Sequence, residues 1–242
     1  LSFSINDGQK IALVGRTGCG KSSTVLTLFR LVELTSGKIT IDGQDISKLG
    51  LYDLRRKLTI IPQDPVLFKR SIRRNLDPFG DHTDDELWEA LVNSGAIERS
   101  LLEEVKSQHV EKDGKDNDGV HKFHLDQMVQ EDGVNYSNGE RQVLALTRAV
   151  VAKSKILVLD EATSSVDYET DAKIQSKIST EFKDSTVITI AHRLNTILSY
   201  DKIMVLEKGE IAEFDEPLNL YHKKDSIFRE MCEKAAITEA DF

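Results

Sequence analysis

The run GRTGCGKSS at residues 15–23 most constrains the fold, because its spacing of glycines, lysine and serine permits few backbone paths. Gly15 and Gly20 allow a tight, partly left-handed loop. An apolar strand pattern precedes the run, and a helix pattern follows it from about Lys21 to Val32. In that setting, successive backbone N–H groups and the start of the helix converge on one point, an arrangement that holds phosphate oxygens. The run therefore predicts a phosphate-binding loop between a strand and a helix.

The residue types in this loop suggest their roles. Lys21 would reach the terminal phosphates of a nucleotide, and the Ser22 hydroxyl would hold Mg²⁺. We interpret Cys19 as a small filler of the loop rather than a catalytic thiol, since no histidine or metal partner lies near it in the sequence. A nucleotide phosphate with Mg²⁺ is the expected ligand, and the predicted nucleotide-binding residues of the loop are Gly15, Thr17, Gly18, Cys19, Gly20, Lys21, Ser22 and Ser23.

The stretch ILVLDEATSSVD at residues 156–167 carries two further candidates. Its apolar run places Asp160 at the carboxyl end of a buried strand, where α/β sheets bind ligands. Asp160 would bind Mg²⁺ directly or through water, and Glu161 would orient or deprotonate an attacking water. The alternative is that this acid pair only caps the next helix. Asp167 is predicted to be a helix cap rather than a catalytic acid.

Two residues that end other strand patterns are weaker candidates on their own. Gln63 ends the run LTIIPQ and has an amide that can bind a metal or a water. His192 ends the run STVITIAH and could contact a terminal phosphate, although a histidine at the end of a strand more often has a structural role.

Strand and helix patterns alternate along the chain, which predicts an α/β fold with a mostly parallel sheet and a small antiparallel β part. We predict an ATP-binding core over residues 1–72 and 153–242, and an inserted α-helical subdomain over residues 73–152. Thr83 to Glu86 has the spacing of a capping box that opens a helix ending near Gly95. The strands are predicted at residues 1–5, 10–14, 38–41, 58–63, 155–159, 185–192, 202–206 and 210–214.

Composition narrows the class of protein. The net charge of −9 and pI of about 5.2 argue against a nucleic-acid partner. No apolar run approaches the roughly 20 residues that a membrane span needs, so we expect no direct membrane insertion. Two cysteines indicate no disulfide framework. The first residues lack the features of a signal peptide, and we expect the chain to begin within a domain.

Taken in order, these elements resemble an ATP-binding cassette nucleotide-binding domain: the phosphate-binding loop, Gln63, the stretch YSNGE at 136–140, Asp160 with Glu161, SSVD at 164–167, and His192. The resemblance covers essentially the whole chain. It implies the P-loop NTPase fold, ATP hydrolysis with Mg²⁺, a metal-sensing loop at Gln63, and an interface role for the SSVD segment. The stretches NLDPFGDHTDDELWEAL and AHRLNTI look like the second such domain of subfamily C, the multidrug-resistance-associated group, and of fungal oligomycin-resistance-type exporters.

The family's signature is normally Leu-Ser-Gly-Gly-Gln, and here it is Tyr136-Ser137-Asn138-Gly139-Glu140. The resemblance implies that Ser137 and Gly139 contact ATP held by a second cassette. Asn138 adds a side chain where a close approach of the backbone is wanted, and Glu140 adds a negative charge near a phosphate. Ser137 and Glu140 also have capping-box spacing, so Glu140 could instead serve the helix.

The resemblance therefore implies asymmetry and partners. The chain's own site would be competent, its signature would be degenerate, and the second cassette would be non-identical. The transmembrane domains of the same transporter would be the other partner, which puts the chain at the cytoplasmic face of a plasma or vacuole-type membrane. A nucleotide-sensing gating domain of a subfamily C channel or channel regulator is the alternative. A soluble cassette ATPase of translation or DNA repair fits the acidic composition less well.

Three minor features complete the predictions. His121 and His124 have the spacing of a metal pair on a helix, but we expect solvated surface. The resemblance implies that the family's adenine-stacking aromatic lies upstream of residue 1; Phe3 is the alternative at the start of this chain, but we expect it in the core. A basic cluster near Gln63 is either solvated surface or a contact for transmembrane coupling helices, and it comprises Arg55, Arg56, Arg70, Arg73 and Arg74.

Overall fold

The computed structural model describes residues 1–110, 119–160, 166–191 and 193–242. These residues form two compact units, which are described separately. The first unit draws on residues within 1–60, 154–164 and 184–242, and the second on residues within 61–153 and 165–183. The second unit therefore contains the described residues of the segment 73–152 together with residues on both sides of it. The division into an ATP-binding core and a helical subdomain stays a prediction.

The strands form one large sheet and one small sheet. The large sheet has the order β4-β5-β6-β1-β7-β8, in which β5, β6, β1 and β7 are parallel and β8 is antiparallel to β7. Strands β2 and β3 form a separate antiparallel pair. This architecture confirms the predicted α/β fold. The strands are β1 Lys10–Val14, β2 Thr40–Ile41, β3 Gln44–Asp45, β4 Leu58–Ile61, β5 Ile156–Asp160, β6 Thr186–Ile190, β7 Lys202–Glu207 and β8 Glu210–Asp215.

The helices include the two that begin at the loops of interest, α1 after the glycine-rich loop and α6 after the signature. In the described residues the α-helices are α1 Lys21–Leu28, α2 Leu51–Arg55, α3 Ile72–Leu76, α4 Asp84–Asn93, α5 Leu102–Ser107, α6 Asn138–Ala152, α7 Tyr168–Glu181, α8 Pro217–His222 and α9 Ile227–Lys234.

Strand β1 is apolar from residue 11 to residue 14, because both of its faces are covered there. Ile11 and Leu13 point to the side of the sheet where α1 packs. Ala12 and Val14 point to the opposite side, where α8 and α9 pack. Alternate residues of a strand face opposite sides of the sheet, so a strand buried on both faces must be a continuous apolar run. This placement fixes the glycine-rich loop at the centre of the carboxyl edge of the sheet.

The second unit has its own core, formed mainly by α3, α4 and α6. Leu87 and Leu91 of α4 are buried against Leu144 of α6. Thr83 and Glu86 form the predicted capping box, in which each side chain accepts a hydrogen bond from the other residue's backbone N–H. This reciprocal pair satisfies two of the donors that a helix start leaves open.

Two local predictions were wrong. Residues 1–9 form no strand, and Phe3 is 41% exposed, with its ring edge-on to the Phe214 ring. Helix α1 ends at Leu28 rather than Val32, because Arg30 takes a left-handed conformation with φ +48°. The Arg30 guanidinium donates to backbone carbonyls of residues 46 and 49, which holds the chain in this turn.

Candidate functional site

The loop between β1 and α1 follows a path that requires glycine. Gly15 has φ +147°, and a Cβ there would overlap the Leu206 carbonyl oxygen. Gly20 has φ +108° and is the N-cap of α1, so no side chain covers the first-turn N–H groups of this helix. Open N–H groups at the start of a helix attract anions. The loop therefore fits a phosphate group.

Lys21 lies across this loop. Its Nζ donates to the Gly15 carbonyl at 2.8 Å and to the Arg16 carbonyl at 3.3 Å. The side chain is buried although it is charged, and a buried ammonium is stable only when polar partners surround it. The backbone carbonyls of the loop supply these partners, so the loop itself positions the cation that a phosphate would meet.

The remaining residues of the loop are either buried below it or exposed to solvent. Cys19 is buried in the core below the loop, and its carbonyl accepts a hydrogen bond from the Gly209 N–H at 3.1 Å. This contact ties the loop to the turn between β7 and β8. The other predicted nucleotide-binding residues, which are exposed, are Thr17, Gly18, Ser22 and Ser23.

Asp160 lies on the same edge of the sheet as the loop. It is the last residue of β5 and is in register with Ile190 of β6, which is in register with Leu13 of β1. Since neighbouring strands lie about 4.8 Å apart, Asp160 lies roughly 10 Å across the edge from the end of β1. A carboxylate and a serine hydroxyl near phosphates are oxygen donors of the kind that Mg²⁺ prefers. The donor set thus fits the predicted metal.

Several predicted positions lie outside the described residues, namely Glu161, His192 and residues 164–165 of the SSVD segment. Their roles stay predictions. Asp167 is described, and its side chain accepts a hydrogen bond from the Thr170 N–H at 3.0 Å. This contact makes Asp167 the N-cap of α7, as its position in the sequence indicated.

Gln63 lies in the second unit, and its side chain is exposed. Its backbone carbonyl accepts a hydrogen bond from Gln142 Nε2 at 2.7 Å, and the Pro62 carbonyl accepts a second bond from the same atom at 3.1 Å. Gln142 is buried, and its Oε1 has no hydrogen-bond partner among the described residues. Sequence reasoning missed Gln142, which ties the Gln63 segment to α6. The pocket beside it is lined by Gln63, Asp64, Pro65, Asn138, Arg141, Gln142 and Val166.

The signature stretch begins α6 and is capped as its spacing predicted. Ser137 Oγ accepts a hydrogen bond from the Glu140 N–H at 3.3 Å, and Glu140 Oε2 accepts one from the Ser137 N–H at 2.7 Å. Gly139 lies against α7, where an added Cβ would be 3.2 Å from Thr170 Cγ2. Asn138 is exposed, which explains why the helix tolerates its side chain. The retained glycine is thus the one that packs closely against a neighbouring helix.

Lys122 is the second residue that sequence reasoning missed. Its ammonium is 2.8 Å from both carboxylate oxygens of Glu140. Its backbone carbonyl accepts a hydrogen bond from Tyr136 Oη at 2.8 Å, and its Nζ is 5.3 Å from the centre of the Tyr136 ring. Burial opposes ionisation of Glu140, but hydrogen bonds from Lys122 and Ser137 outweigh it and hold the pKa of Glu140 below its usual range. No local pattern signals these contacts, because 18 residues separate Lys122 from Glu140.

The minor candidates resolve as follows. Arg55 donates to the carbonyls of residues 29 and 30, and Arg73 forms ion pairs with Asp84 and Asp126, so both guanidinium groups serve the fold. The prediction that His124 is solvated was wrong, because it is buried edge-on against the Trp88 ring. Among the described residues, no group of three or more metal-binding side chains is arranged to hold an ion.

Comparison with known proteins gives one consistent result. The family described as ABC transporter matches residues 1–164. The chain is 62% identical over 242 residues to the oligomycin resistance ATP-dependent permease YOR1 of Saccharomyces cerevisiae, covering 100% of the chain and 16% of that protein. It is 49% identical over 234 residues to bile pigment transporter 1 of the same yeast, covering 97% of the chain and 15% of that protein. The chain thus spans only a small part of these relatives.

A solved structure agrees with this match. A bacterial Atm1-family ABC exporter with ATP bound has a TM-score of 0.81 and 33% sequence identity to the chain, over 98% of the chain and 39% of that structure. In the part of the chain that the structure describes, no helix is long and apolar enough to cross a membrane.

Proposed function

We propose, from the premise that the chain belongs to the ABC transporter family, that it binds and hydrolyses ATP to power a membrane exporter. The observation that carries the proposal is the loop at residues 15–23. Gly15 packs against the Leu206 carbonyl and Lys21 lies across the loop, while Asp160 lies on the same edge of the sheet. These features support a triphosphate with a divalent cation at this edge.

The roles of the site residues follow from this arrangement. Backbone N–H groups of the loop and the start of α1 would bind the phosphates, and Lys21 would neutralise them. Ser22 and Asp160 would hold Mg²⁺, which supplies further neutralisation of charge when bound. We propose that Gln63 senses the metal, that Glu161 holds the attacking water, and that His192 contacts the terminal phosphate.

The partners form part of the same proposal. The chain covers 15–16% of two relatives described as a permease and a transporter. We therefore propose that it works at the cytoplasmic face of a membrane with the transmembrane domains of the same transporter. The departures from the signature at residues 136, 138 and 140 support pairing with a second, non-identical cassette.

Substitution of Glu161 tests the proposal. In the full-length exporter, Glu161→Gln should bind ATP normally and lose about a hundredfold or more of its hydrolysis rate, because a positioned base contributes that much. Glu169→Gln is the matched control, since Glu169 is an exposed acid of α7 paired with Lys173. Normal turnover by Glu161→Gln would contradict the assignment. Stimulation of the ATPase by transported compounds would distinguish an exporter from a gating domain.

A further inference from the structure

The first and last residues of the signature depart from the family's pattern, and both contact one residue outside the signature. Where the family has Leu and Gln, this chain has Tyr136 and Glu140. The Tyr136 hydroxyl donates to the Lys122 backbone carbonyl, and the Glu140 carboxylate binds the Lys122 ammonium through both oxygens. The two replacements therefore hold the same lysine, one at its backbone and one at its side chain. Contact at both ends distinguishes Lys122 from an isolated surface ion pair.

The start of α6 has few backbone donors left for a ligand. The Ser137 N–H is bound to Glu140, and the Glu140 N–H is bound to Ser137 Oγ. The N–H groups of Asn138 and Gly139 lie in the first turn of α6, where a helix provides no acceptor. A phosphate approaching these two groups would also meet the charge of Glu140, which lies in the same turn.

The charge of Glu140 would repel such a phosphate. Two unit charges about 4 Å apart in water interact by roughly 1 kcal/mol, which corresponds to a factor of about five in an equilibrium constant. Lys122 lies close enough to cancel this charge, because its Nζ is 2.8 Å from each carboxylate oxygen. The Lys122 side chain is 46% exposed and that of Glu140 is 28% exposed, so both groups lie near solvent, where a phosphate could approach.

We propose that Lys122 is a positioning residue of the signature: it neutralises Glu140 and keeps the start of α6 able to bind the triphosphate of ATP held by the facing cassette. This proposal rests on the proposed function. Glu140 retains the capping role that glutamine can also fill, and Lys122 removes the electrostatic disadvantage of the carboxylate. The stretch that departs from the family's pattern therefore still binds nucleotide.

The test measures ATP retained by the facing cassette of the full-length exporter after a chase with unlabelled nucleotide. Lys122→Met should shorten retention about fivefold, because Glu140 is then uncompensated. Glu140→Gln should lengthen it by a similar factor, because glutamine keeps the capping box while Lys122 becomes free to attract the phosphate. The double variant Lys122→Met with Glu140→Gln should return to within about twofold of the unmodified protein.

Controls separate charge compensation from a structural role. Lys122→Arg should retain ATP normally, and Lys106→Met should have no effect, since Lys106 pairs with Asp85 and Glu103 elsewhere in the same unit. If Lys122 only holds its segment in place, Lys122→Met and the double variant will be equally impaired, which overturns the proposal. If neither cassette of the unmodified protein binds ATP, the proposed function is overturned, and this inference with it.

Discussion

Gly15→Ala tests whether the phosphate-binding loop is built as described. The substitution places a Cβ at φ +147°, where it overlaps the Leu206 carbonyl oxygen and lies 2.7 Å from Cys19 Sγ. A conformation that side chains rarely adopt costs about 1–3 kcal/mol, and overpacking of a rigid site adds about 1–3 kcal/mol. We expect a loss of about 2–6 kcal/mol in the free energy of unfolding, together with loss of ATP binding.

Two other glycines provide matched controls, because both have positive φ and open space around them. Gly8 has φ +73° and Gly18 has φ +80°, and an added Cβ at either position meets no atom within 4 Å. Each alanine variant should lose about 1 kcal/mol from backbone strain alone. Gly18→Ala should also weaken ATP binding, because Gly18 belongs to the loop, whereas Gly8→Ala should not.

Urea unfolding and a titration with MgATP measure the two effects separately. If Gly15→Ala is as stable as Gly8→Ala, then the loop does not approach the Leu206 carbonyl closely. If Gly18→Ala and Gly8→Ala bind ATP equally well, then the loop backbone does not contact the nucleotide.

Three further predictions concern the second unit. Ser137→Ala should lower the free energy of unfolding by about 0.5–2 kcal/mol through loss of the cap of α6, which thermal unfolding will measure against the exposed control Ser179→Ala. Gln142→Leu should destabilise by no more than about 2 kcal/mol, because the loss of two hydrogen bonds is partly offset by removal of the unpartnered Oε1; a larger loss in urea unfolding would contradict this. The lowered pKa of Glu140 means that its ionised form stabilises the native state above its usual pKa of 4.5, and that this contribution disappears as pH falls through the lowered value. The stability difference between the unmodified chain and Glu140→Gln should therefore vanish in acid, and a difference that is constant from pH 6 to pH 3 would refute the pairing.

The features that the sequence predicted are those with local causes. The glycine-rich loop, the capping boxes at Thr83 and Ser137, and the parallel strands each follow from neighbouring residues in the chain. The prediction of a strand at residues 1–5 was wrong because a strand also needs a neighbouring strand to pair with, which composition does not reveal. Helix α1 ends earlier than predicted because Arg30 turns the chain. Such a turn usually has a glycine, which is absent here, and this one depends on distant backbone acceptors.

The residues of the candidate site that were missed make contacts with segments distant in the sequence, and these contacts exist only once the chain has folded. The backbone and side chain of Lys122 both contact the signature at the start of α6, although no sequence spacing relates the two segments. Gln142 lies one turn beyond the start of α6, and nothing in its spacing indicates that it binds the carbonyls of residues 62 and 63. The local sequence indicates a surface position for His124, because its burial depends on Trp88, which lies 36 residues earlier.

The most direct test of the proposed function is the ATPase rate of this chain alone, measured against its concentration at saturating MgATP, with Glu161→Gln as the blank. ATP binding is confirmed separately by titration. We expect the chain to bind ATP and its rate per molecule to stay near the blank at all concentrations, rising only when a second, non-identical cassette is added. A rate per molecule that rises steeply with the concentration of this chain alone would show that two copies complete each other, and would contradict the proposed asymmetry.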